Sequence, residues 1–429
     1  MDLGEALLMG VANSDSLRKA HEAVQPEIVQ FFQSVGQSKE VYDALVQLEE
    51  NSEKLGLDDV QNRIVSKMIF DMRLSGIGLE GEAKTSFNKI QTEMAQLKTQ
   101  FNNNVLDSTK DYELIIEDEE LLEGIPDRVK QLWMNNAKSG ENENESTKKK
   151  FKITLDHPSL LPVLQHMRNR DIREQVYKAY VTRSSSLSSG VDGKVGKHDN
   201  EEVLRKILKL KHDLAHLLGF RTYAETSIAS KMAESVDEVR DMIFMLKDAS
   251  YDAAGRELEE IQKFANENGF EEEKLALWDV NYWSERLKES KYDFREEELR
   301  PYFPLDNVMN GLFTLISRLF GVTIEEQKDF NNTWNEDVKF FHVINNKSNE
   351  HIASFYLDPY SRPAQKRGGA WMDDTIGRSR AIGSKPVCYL VCNGPTPTKN
   401  EETGEETPSL MSFREVETLF HEMGHGFYI

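Results

Sequence analysis

Cysteine is scarce in this sequence, and the two cysteines present cannot cross-link the fold through a disulfide. Cys388 and Cys392 are the only cysteines among 429 residues, and both lie in PVCYLVCN, a segment typical of a β-strand. Four strand residues span roughly 13 Å, which is too far for a disulfide between the two thiols. We therefore interpret both as small buried apolar residues, and we expect a reducing compartment.

Basic charge and long apolar runs are also lacking. The chain has 53 Lys and Arg residues against 74 Asp and Glu residues, a net charge of -21, so its surface repels phosphate groups. This balance argues against general binding to nucleic acid or to anionic membranes. No apolar segment approaches the ~20 residues that a membrane-spanning helix needs. We expect neither nucleic acid nor membrane as a partner.

The first residues lack the basic side chains of a targeting segment. The stretch MDLGEALLMGVANS contains Asp2 and Glu5 but neither Lys nor Arg, unlike a signal or transit peptide. We therefore expect a cytoplasmic protein. The alternative is an organelle matrix or stroma, if a transit peptide is missing from the sequence.

Helical periodicity dominates what is present. Apolar residues recur at steps of three and four along one stripe, at Phe87, Ile90, Met94, Leu97, Phe101 and Val105. Three further segments show the same pattern, at 16–34, 40–50 and 58–74. Polar composition predicts an exposed loop at 138–150 and a mobile loop at 183–200. The pattern predicts a mainly α protein.

Strands are predicted in two places. Segments 112–118 and 151–155 are typical of short strands, and VKFFHV, HIASFYLDPY and PVCYLVCN predict one small sheet beyond residue 338. Between the last two segments, KRGGAWMDD (366–374) predicts a glycine-containing turn. We place a domain boundary between an N-terminal helical domain, 1–155, and a second domain, 156–429.

The last 21 residues, SLMSFREVETLFHEMGHGFYI, predict a helix that carries a metal-binding pattern. Ser412 can cap this helix, and Glu415, three residues on, can return the hydrogen bond. His421 and His425 are about one helical turn apart, so both imidazoles point the same way and can grip one zinc ion. Glu422 lies about 100° around the helix and can act as general base on a zinc-bound water. The spacing H-E-x-x-H therefore predicts a zinc hydrolase.

Two other interpretations stay open at this point. The histidines of H-E-x-x-H can be a surface pair without a metal, because the short pattern also arises by chance. A second helical segment, KHDLAHLLGF, presents His212, Asp213 and His216 with the same spacing. Its aspartate is one methylene shorter than a glutamate, so we interpret this pair as the polar flank of a packed helix.

Several long segments resemble the oligopeptidase A branch of the thimet oligopeptidase family of zinc peptidases. FREVETLFHEMGHG resembles the family's zinc helix, and SFYLDPYSRPAQKRGGAWMDD and PVCYLVCNGPTP resemble the segments before it. LALWDVNYWSERLKESKYDFREEELRPYFPLDNVMNGLF and LKHDLAHLLGFRTYAETSIASKMAE resemble its middle. Residues 1–155 resemble its N-terminal helical region, so the resemblance covers essentially the whole chain.

The resemblance implies a two-lobed helical zincin-type peptidase around a deep channel that admits short peptides. It implies one zinc ion per chain with His421 and His425 as ligands, and Glu422 as general base. A small antiparallel sheet would lie beside the zinc helix, and PVCYLVCN would pair with substrate as an edge strand. The substrate-binding residues implied in this way are Gly368, Gly369, Tyr389, Val391 and Asn393. We expect a monomer.

The sequence departs from this family in length. Family members carry a glutamate as third zinc ligand on a helix after H-E-x-x-H, and no such position follows here, so we expect a fragment whose second domain is truncated after that helix. Two histidines alone hold zinc weakly, so we expect little activity from this chain. The alternatives are a non-catalytic peptide-binding helical protein derived from the peptidase, or a helical scaffold with accidental histidine pairs.

Overall fold

Helices form most of the molecule. The computed structural model describes residues 2–138, 149–188, 195–399, 404 and 406–428, so parts of the two predicted loops, 139–148 and 189–194, lie outside the described residues. The α-helices are α1 (Asp2–Val11), α2 (Asp15–Gly36), α3 (Lys39–Glu50), α4 (Ser52–Leu55), α5 (Asp59–Leu74), α6 (Gly81–Lys110), α7 (Asp127–Lys138), α8 (His157–His166), α9 (Arg170–Val181), α10 (Glu201–Leu217), α11 (Tyr223–Ile228), α12 (Val236–Glu267), α13 (Leu277–Tyr292), α14 (Glu296–Leu299), α15 (Leu305–Phe320) and α16 (Phe413–Tyr428). Short 3₁₀ turns span Glu119–Leu122 and Arg300–Tyr302.

These helices confirm the periodicity found in the sequence. The predicted segments 16–34, 40–50 and 58–74 correspond to α2, α3 and α5. In α6, the apolar stripe buries Phe87, Ile90, Met94 and Leu97 against α10. The mainly α fold class is therefore confirmed. Within the described residues, no helix combines the length and apolarity needed to cross a membrane.

The strands form three small sheets. They are β1 (Leu114–Ile116), β2 (Phe151–Ile153), β3 (Val322–Glu326), β4 (Lys339–Asn345), β5 (His351–Tyr360), β6 (Trp371–Ile376), β7 (Val387–Gly394), β8 (Thr398–Lys399) and β9 (Glu406–Thr407). β1 pairs with β2, β8 pairs with β9, and the five others form one sheet in the order β3-β4-β5-β7-β6. The strands predicted at 112–118, at 151–155 and beyond residue 338 are confirmed.

The five-stranded sheet differs from the predicted one in three respects. β3 and β6 were not predicted, and β6 occupies part of the segment 366–374 interpreted as a turn. The sheet is mixed rather than antiparallel, because β7 runs parallel to β5 and antiparallel to β6. The chain leaves β5, forms β6 at the edge and folds back, so that β7 enters between β5 and β6.

The two faces of this sheet are covered differently. Phe341, Phe355, Leu357 and Leu390 face a core completed by α15 and α16. On the opposite face, Tyr389 and Val391 pack with residues of α1 and with Trp371. Side chains on a strand alternate between the faces, so neighbouring residues of β7 enter different cores.

One core cluster contains residues from both sides of the predicted domain boundary at 155/156. Trp133, at 0% exposure, packs with Phe151 before the boundary and with Val163 and Val176 after it. Its indole Nε1 donates to Ser159 Oγ at 2.8 Å, which ties α7 to α8. The division into domains 1–155 and 156–429 stays a prediction.

Candidate active site

The H-E-x-x-H motif lies on α16, and the predicted capping box begins this helix. Glu415 N donates to Ser412 Oγ at 3.2 Å, and Ser412 N donates to Glu415 Oε2 at 2.6 Å. Leu419 and Met423 bury one face of the helix against the sheet. At Gly426 a Cβ atom would lie 3.4 Å from Cys388 Sγ, so α16 runs close above β7. Cap and apolar face together fix the helix on the sheet.

His421 and His425 converge on the exposed side of α16. Their Nε2 atoms are 3.0 Å apart, and the two ring planes meet at 85°. Nitrogen ligands about 2.0–2.1 Å from one tetrahedral zinc ion lie roughly 3.4 Å from each other. The imidazoles therefore fit a shared zinc ion with a small adjustment of the rings. Among the described residues, no group of three or more His, Cys, Asp or Glu side chains could hold a metal ion.

Glu422 is the buried member of the motif. The residue is 8% exposed, whereas both histidines of the motif are exposed. Burial raises the pKa of the Cys392 thiol to about 12, and the negative charge of Glu422 acts in the same direction. Glu422 is thus largely shielded from solvent. Its role as general base stays a prediction.

The competing pair on α10 is arranged less favourably. The rings of His212 and His216 are 4.1 Å apart between centroids, but His216 Nε2 lies 3.2 Å from the carbonyl oxygen of Arg221. Only a protonated nitrogen can hydrogen-bond to a carbonyl, so this nitrogen is not free to bind a metal. Asp213 accepts a hydrogen bond from Lys209 at 2.6 Å. Of the two pairs, the geometry favours the one on α16.

Two of the predicted substrate-binding residues, Gly368 and Gly369, lie in the turn between β5 and β6, and a third, Asn393, contacts this turn from β7. Gly369 has a φ of +89°, a conformation that glycine adopts without strain. Asn393, at the end of β7, donates from Nδ2 to the carbonyl oxygens of Arg367 and Gly369. Gly368 is exposed. The turn is therefore held in one conformation, and its contact with substrate stays a prediction.

The other two predicted substrate-binding residues lie on the far face of the sheet. Tyr389 and Val391 are 1% and 0% exposed, and both pack in the cluster under α1. Their main chains are paired on one side with β5 and on the other with β6. The prediction that PVCYLVCN is an edge strand is therefore wrong, because β6 occupies that edge. A role of Tyr389 and Val391 in substrate binding stays a prediction.

The two cysteines are free, as predicted. Both lie on β7, and Cys388 packs in the core beneath α16 with Cys392 against its edge. Burial raises the pKa of each thiol to about 12, so neither ionises near neutral pH.

The sequence did not point to two basic residues that support the site. Arg300 contacts the first turn of α16, and Lys366 lies buried beneath the glycine turn. Lys366 Nζ donates to Asp358 Oδ1 at 2.8 Å and to the carbonyl oxygen of Cys392 on β7. The partners of Arg300 at the start of α16, Leu410 and Glu415, are more than 100 residues away along the chain, so no local pattern could have identified this role.

Two family models match the chain. The model described as Peptidase family M3 matches residues 163–428, and the model described as Neurolysin/Thimet oligopeptidase, N-terminal domain, matches residues 6–84. Neither match reaches the predicted boundary at 155/156.

Similar proteins come from plants and bacteria. Organellar oligopeptidase A, chloroplastic/mitochondrial, of Arabidopsis thaliana is 44% identical over 98% of this chain and 52% of its own length. Probable cytosolic oligopeptidase A of the same organism is 43% identical over 98% of this chain and 58% of its own length. Oligopeptidase A of Escherichia coli (strain K12) is 39% identical over 98% and 59%.

These matches confirm the resemblance seen in the sequence. The chain spans between 52% and 59% of the length of these relatives. The peptidase model covers the sheet, the glycine turn and α16, and it therefore includes the histidine pair. By this match the chain belongs to peptidase family M3.

Proposed function

We propose that this chain is a zinc-dependent metalloendopeptidase that hydrolyses short peptides. His421 and His425 are the zinc ligands in this proposal, and Glu422 is the general base. The observation that carries it is the 3.0 Å separation of the two Nε2 atoms on a helix inside the family M3 match. The name oligopeptidase A, which these relatives carry, supports short peptides as the substrate class.

Each residue of the site would have its own role in the proposed hydrolysis. A bound zinc ion supplies Lewis acidity, polarising a peptide carbonyl and lowering the pKa of water. The imidazoles of His421 and His425 bind as neutral nitrogen donors, with one lone pair each. Glu422 takes a proton from the attacking water and returns it to the nitrogen of the peptide bond that breaks. Water is thus added across one peptide bond, and Glu422 ends as it began.

The substrate would lie along the surface between α16 and the glycine turn. β6 is the edge strand nearest to α16, and Met372 on it packs in the same core as α16. An extended peptide can add to such an edge through main-chain hydrogen bonds. Gly368 and Gly369 would line its path, and Asn393 would hold the turn in place.

We propose a monomer in the cytoplasm, with an organelle matrix or stroma as the alternative, since the relatives are named for both kinds of compartment.

A second candidate is a non-catalytic protein that binds peptides. It is favoured by one observation, that His421 and His425 are the only two donors brought together at α16 among the described residues. Catalytic zinc sites in proteins have three protein ligands, and a site with two holds the metal more weakly. We therefore expect weak zinc binding and little turnover from this 429-residue chain alone.

Zinc titration with two alanine variants tests the metal site. We expect the wild-type chain to bind one zinc ion, His421→Ala to lose that binding, and His216→Ala to retain it. Competition with a chromophoric chelator at pH 7.5 measures each affinity. Equal affinity in all three proteins would contradict the proposal and would favour accidental histidine pairs.

Cleavage of a quenched fluorescent peptide tests the chemistry. We expect slow cleavage that stops in Glu422→Gln, since the amide cannot accept the proton. Peptide binding that persists in the presence of a chelator, without any cleavage, would support the non-catalytic candidate instead. Fast cleavage abolished by Glu422→Gln would confirm the general base and overturn the expectation of little turnover.

A further inference from the structure

A chain of four charged side chains runs from α7 to the first turn of α16. Arg128 on α7 donates from Nε to Glu297 Oε2 at 2.8 Å and from Nη2 to Glu297 Oε1 at 2.6 Å. Arg300 Nε donates to the same Glu297 Oε1 at 2.9 Å, and Arg300 Nη1 reaches Glu415 Oε2 at 3.2 Å. The chain therefore ends on the carboxylate of the capping box.

Arg300 contacts both the first turn of α16 and the segment just before this helix. Its Nη1 donates to the carbonyl oxygen of Leu410 at 3.1 Å as well as to Glu415 Oε2. The oxygen that it contacts on Glu415 is the one that accepts from Ser412 N in the cap. The Arg300 side chain is only 14% exposed, so solvent competes little for these contacts. A charge-assisted hydrogen bond of this kind is stronger than one between neutral groups.

The segment that carries Arg300 is itself anchored beside α16. Leu305 N donates to Ser409 O at 2.9 Å, and Met411 N donates to Phe303 O at 2.9 Å. The rings of Phe303 and Phe413 are 6.1 Å apart. Burial opposes ionisation of Glu297, yet the hydrogen bonds and charge of Arg128 lower its pKa. Glu297 thus stays charged and keeps Arg300 in place.

We infer that Arg300 is a positioning residue for the metal pair, acting through Glu415 on the rotation and tilt of α16. His421 lies six residues beyond Glu415, less than two turns along the same rigid helix. At the other end Gly426 packs against Cys388, so the helix is fixed near both ends and the histidines lie between. This inference rests on the proposed function, because it assumes that His421 and His425 bind a metal.

The test measures metal binding in Arg300→Gln and Glu415→Gln. Glutamine at 415 can still accept from Ser412 N, so it keeps the cap and removes only the charge that Arg300 contacts. We expect the Kd for Zn²⁺ to rise roughly tenfold in each variant, the lower end of the range for loss of a supporting contact at a metal site, because Arg300 acts through Glu415 and does not contact the histidines. The double variant should bind no more weakly than Arg300→Gln alone, because both act through one contact.

Two further measurements separate positioning from a general loss of stability. The visible absorption of the Co²⁺-loaded protein reports ligand geometry, and we expect its bands to shift in Arg300→Gln. The control Arg168→Gln breaks the exposed ion pair with Glu123, in which both side chains are 62% exposed, and should leave the Zn²⁺ affinity and the Co²⁺ spectrum unchanged.

Specific outcomes overturn the inference. An Arg300→Gln protein with a lower thermal midpoint but wild-type Zn²⁺ affinity and Co²⁺ spectrum would show that Arg300 only stabilises the fold. If Arg300→Gln does not fold, an unchanged Kd in Glu415→Gln overturns it equally. A failure of the proposed function gives a different result. In that case the wild-type chain would bind no zinc, or His421→Ala would bind zinc as well as the wild type.

Discussion

Lys366 shows how one buried charge can organise the turn beside the candidate site. Its ammonium donates to Asp358 Oδ1 and to the carbonyl oxygens of Asp358, Tyr360 and Cys392. Asp358 also accepts from Arg362 and from the indole of Trp334. An ammonium at 1% exposure must have such partners, because burying a lone charge is prohibitively costly.

Lys366→Met should therefore destabilise the protein. The methionine fills similar volume but removes the donor that three carbonyl oxygens and the Asp358 carboxylate share. Breaking a buried ion pair in this way costs about 3–5 kcal/mol, and we expect the lower end because Arg362 remains. Thermal unfolding followed by circular dichroism measures the loss. Lys347→Met, on an exposed turn, should change stability by less than about 0.5 kcal/mol, and an equal effect of both would contradict the argument.

His166 makes a prediction about acid stability. Burial, assisted by the positive charge of Arg286, lowers the pKa of His166 to about 4 from its ordinary value of 6.5. Between these two values the unfolded chain binds a proton that the folded chain does not, so stability falls as the pH drops from 6.5 to 4. His166→Gln should flatten the fall of the thermal midpoint over this window relative to wild type. Parallel curves for the two proteins would contradict this expectation.

At the scale of single residues the sequence pointed to the candidate metal site but not to the residues that support it. His421, Glu422 and His425 were predicted because their spacing along one helix is itself the signal. Arg300 and Lys366 were missed because their meaning depends on partners brought close by folding, such as Glu415 and Cys392. A lone Arg or Lys in a sequence with 53 such residues carries no local signal.

A helix or strand was predictable where a pattern among its own residues indicates it. The cap of α16 is an example, since Ser412 and Glu415 lie three residues apart and both contacts form. β6 is a counterexample, because WMDDTI has two consecutive acids and becomes a strand only by pairing with β7. β3 was also missed, since its first residue continues the apolar pattern of α15 past Gly321.

The N-cap of α16 gives a prediction about the stability of a single helix. Ser412→Ala removes the oxygen that accepts from Glu415 N and should cost about 1 kcal/mol, the usual loss for an N-cap residue. Thermal unfolding measures it, and amide hydrogen exchange should quicken in the first turn of α16. Ser284→Ala, exposed on α13, is the matched control and should be neutral within about 0.5 kcal/mol. Unchanged exchange in the first turn would show that Arg300 alone holds it.

The molecule has several separate hydrophobic cores and one long helix, α12, that is exposed along part of its length. α12 packs against α11 and α13 near its ends, but every residue from 240 to 252 is exposed. Five of these are consecutive large apolar residues, Met242, Ile243, Phe244, Met245 and Leu246, each between 51% and 63% exposed. A contiguous apolar surface of this kind promotes association. This exposure could not be read from the sequence, because apolar residues on a helix usually predict burial.

Replacing two of these residues should therefore improve solubility without loss of stability. We expect Ile243→Gln with Phe244→Gln to reduce concentration-dependent association, measured by sedimentation velocity, and to shift the thermal midpoint by less than about 3 °C, since exposed sites contribute little to folding. The control Val60→Gln with Ile64→Gln changes two exposed apolar residues of α5 that are not consecutive, and should alter association less. A fall of the midpoint by ~5 °C or more in the α12 variant would show that these side chains are packed in solution, because a change of that size needs about 1 kcal/mol or more of lost contacts.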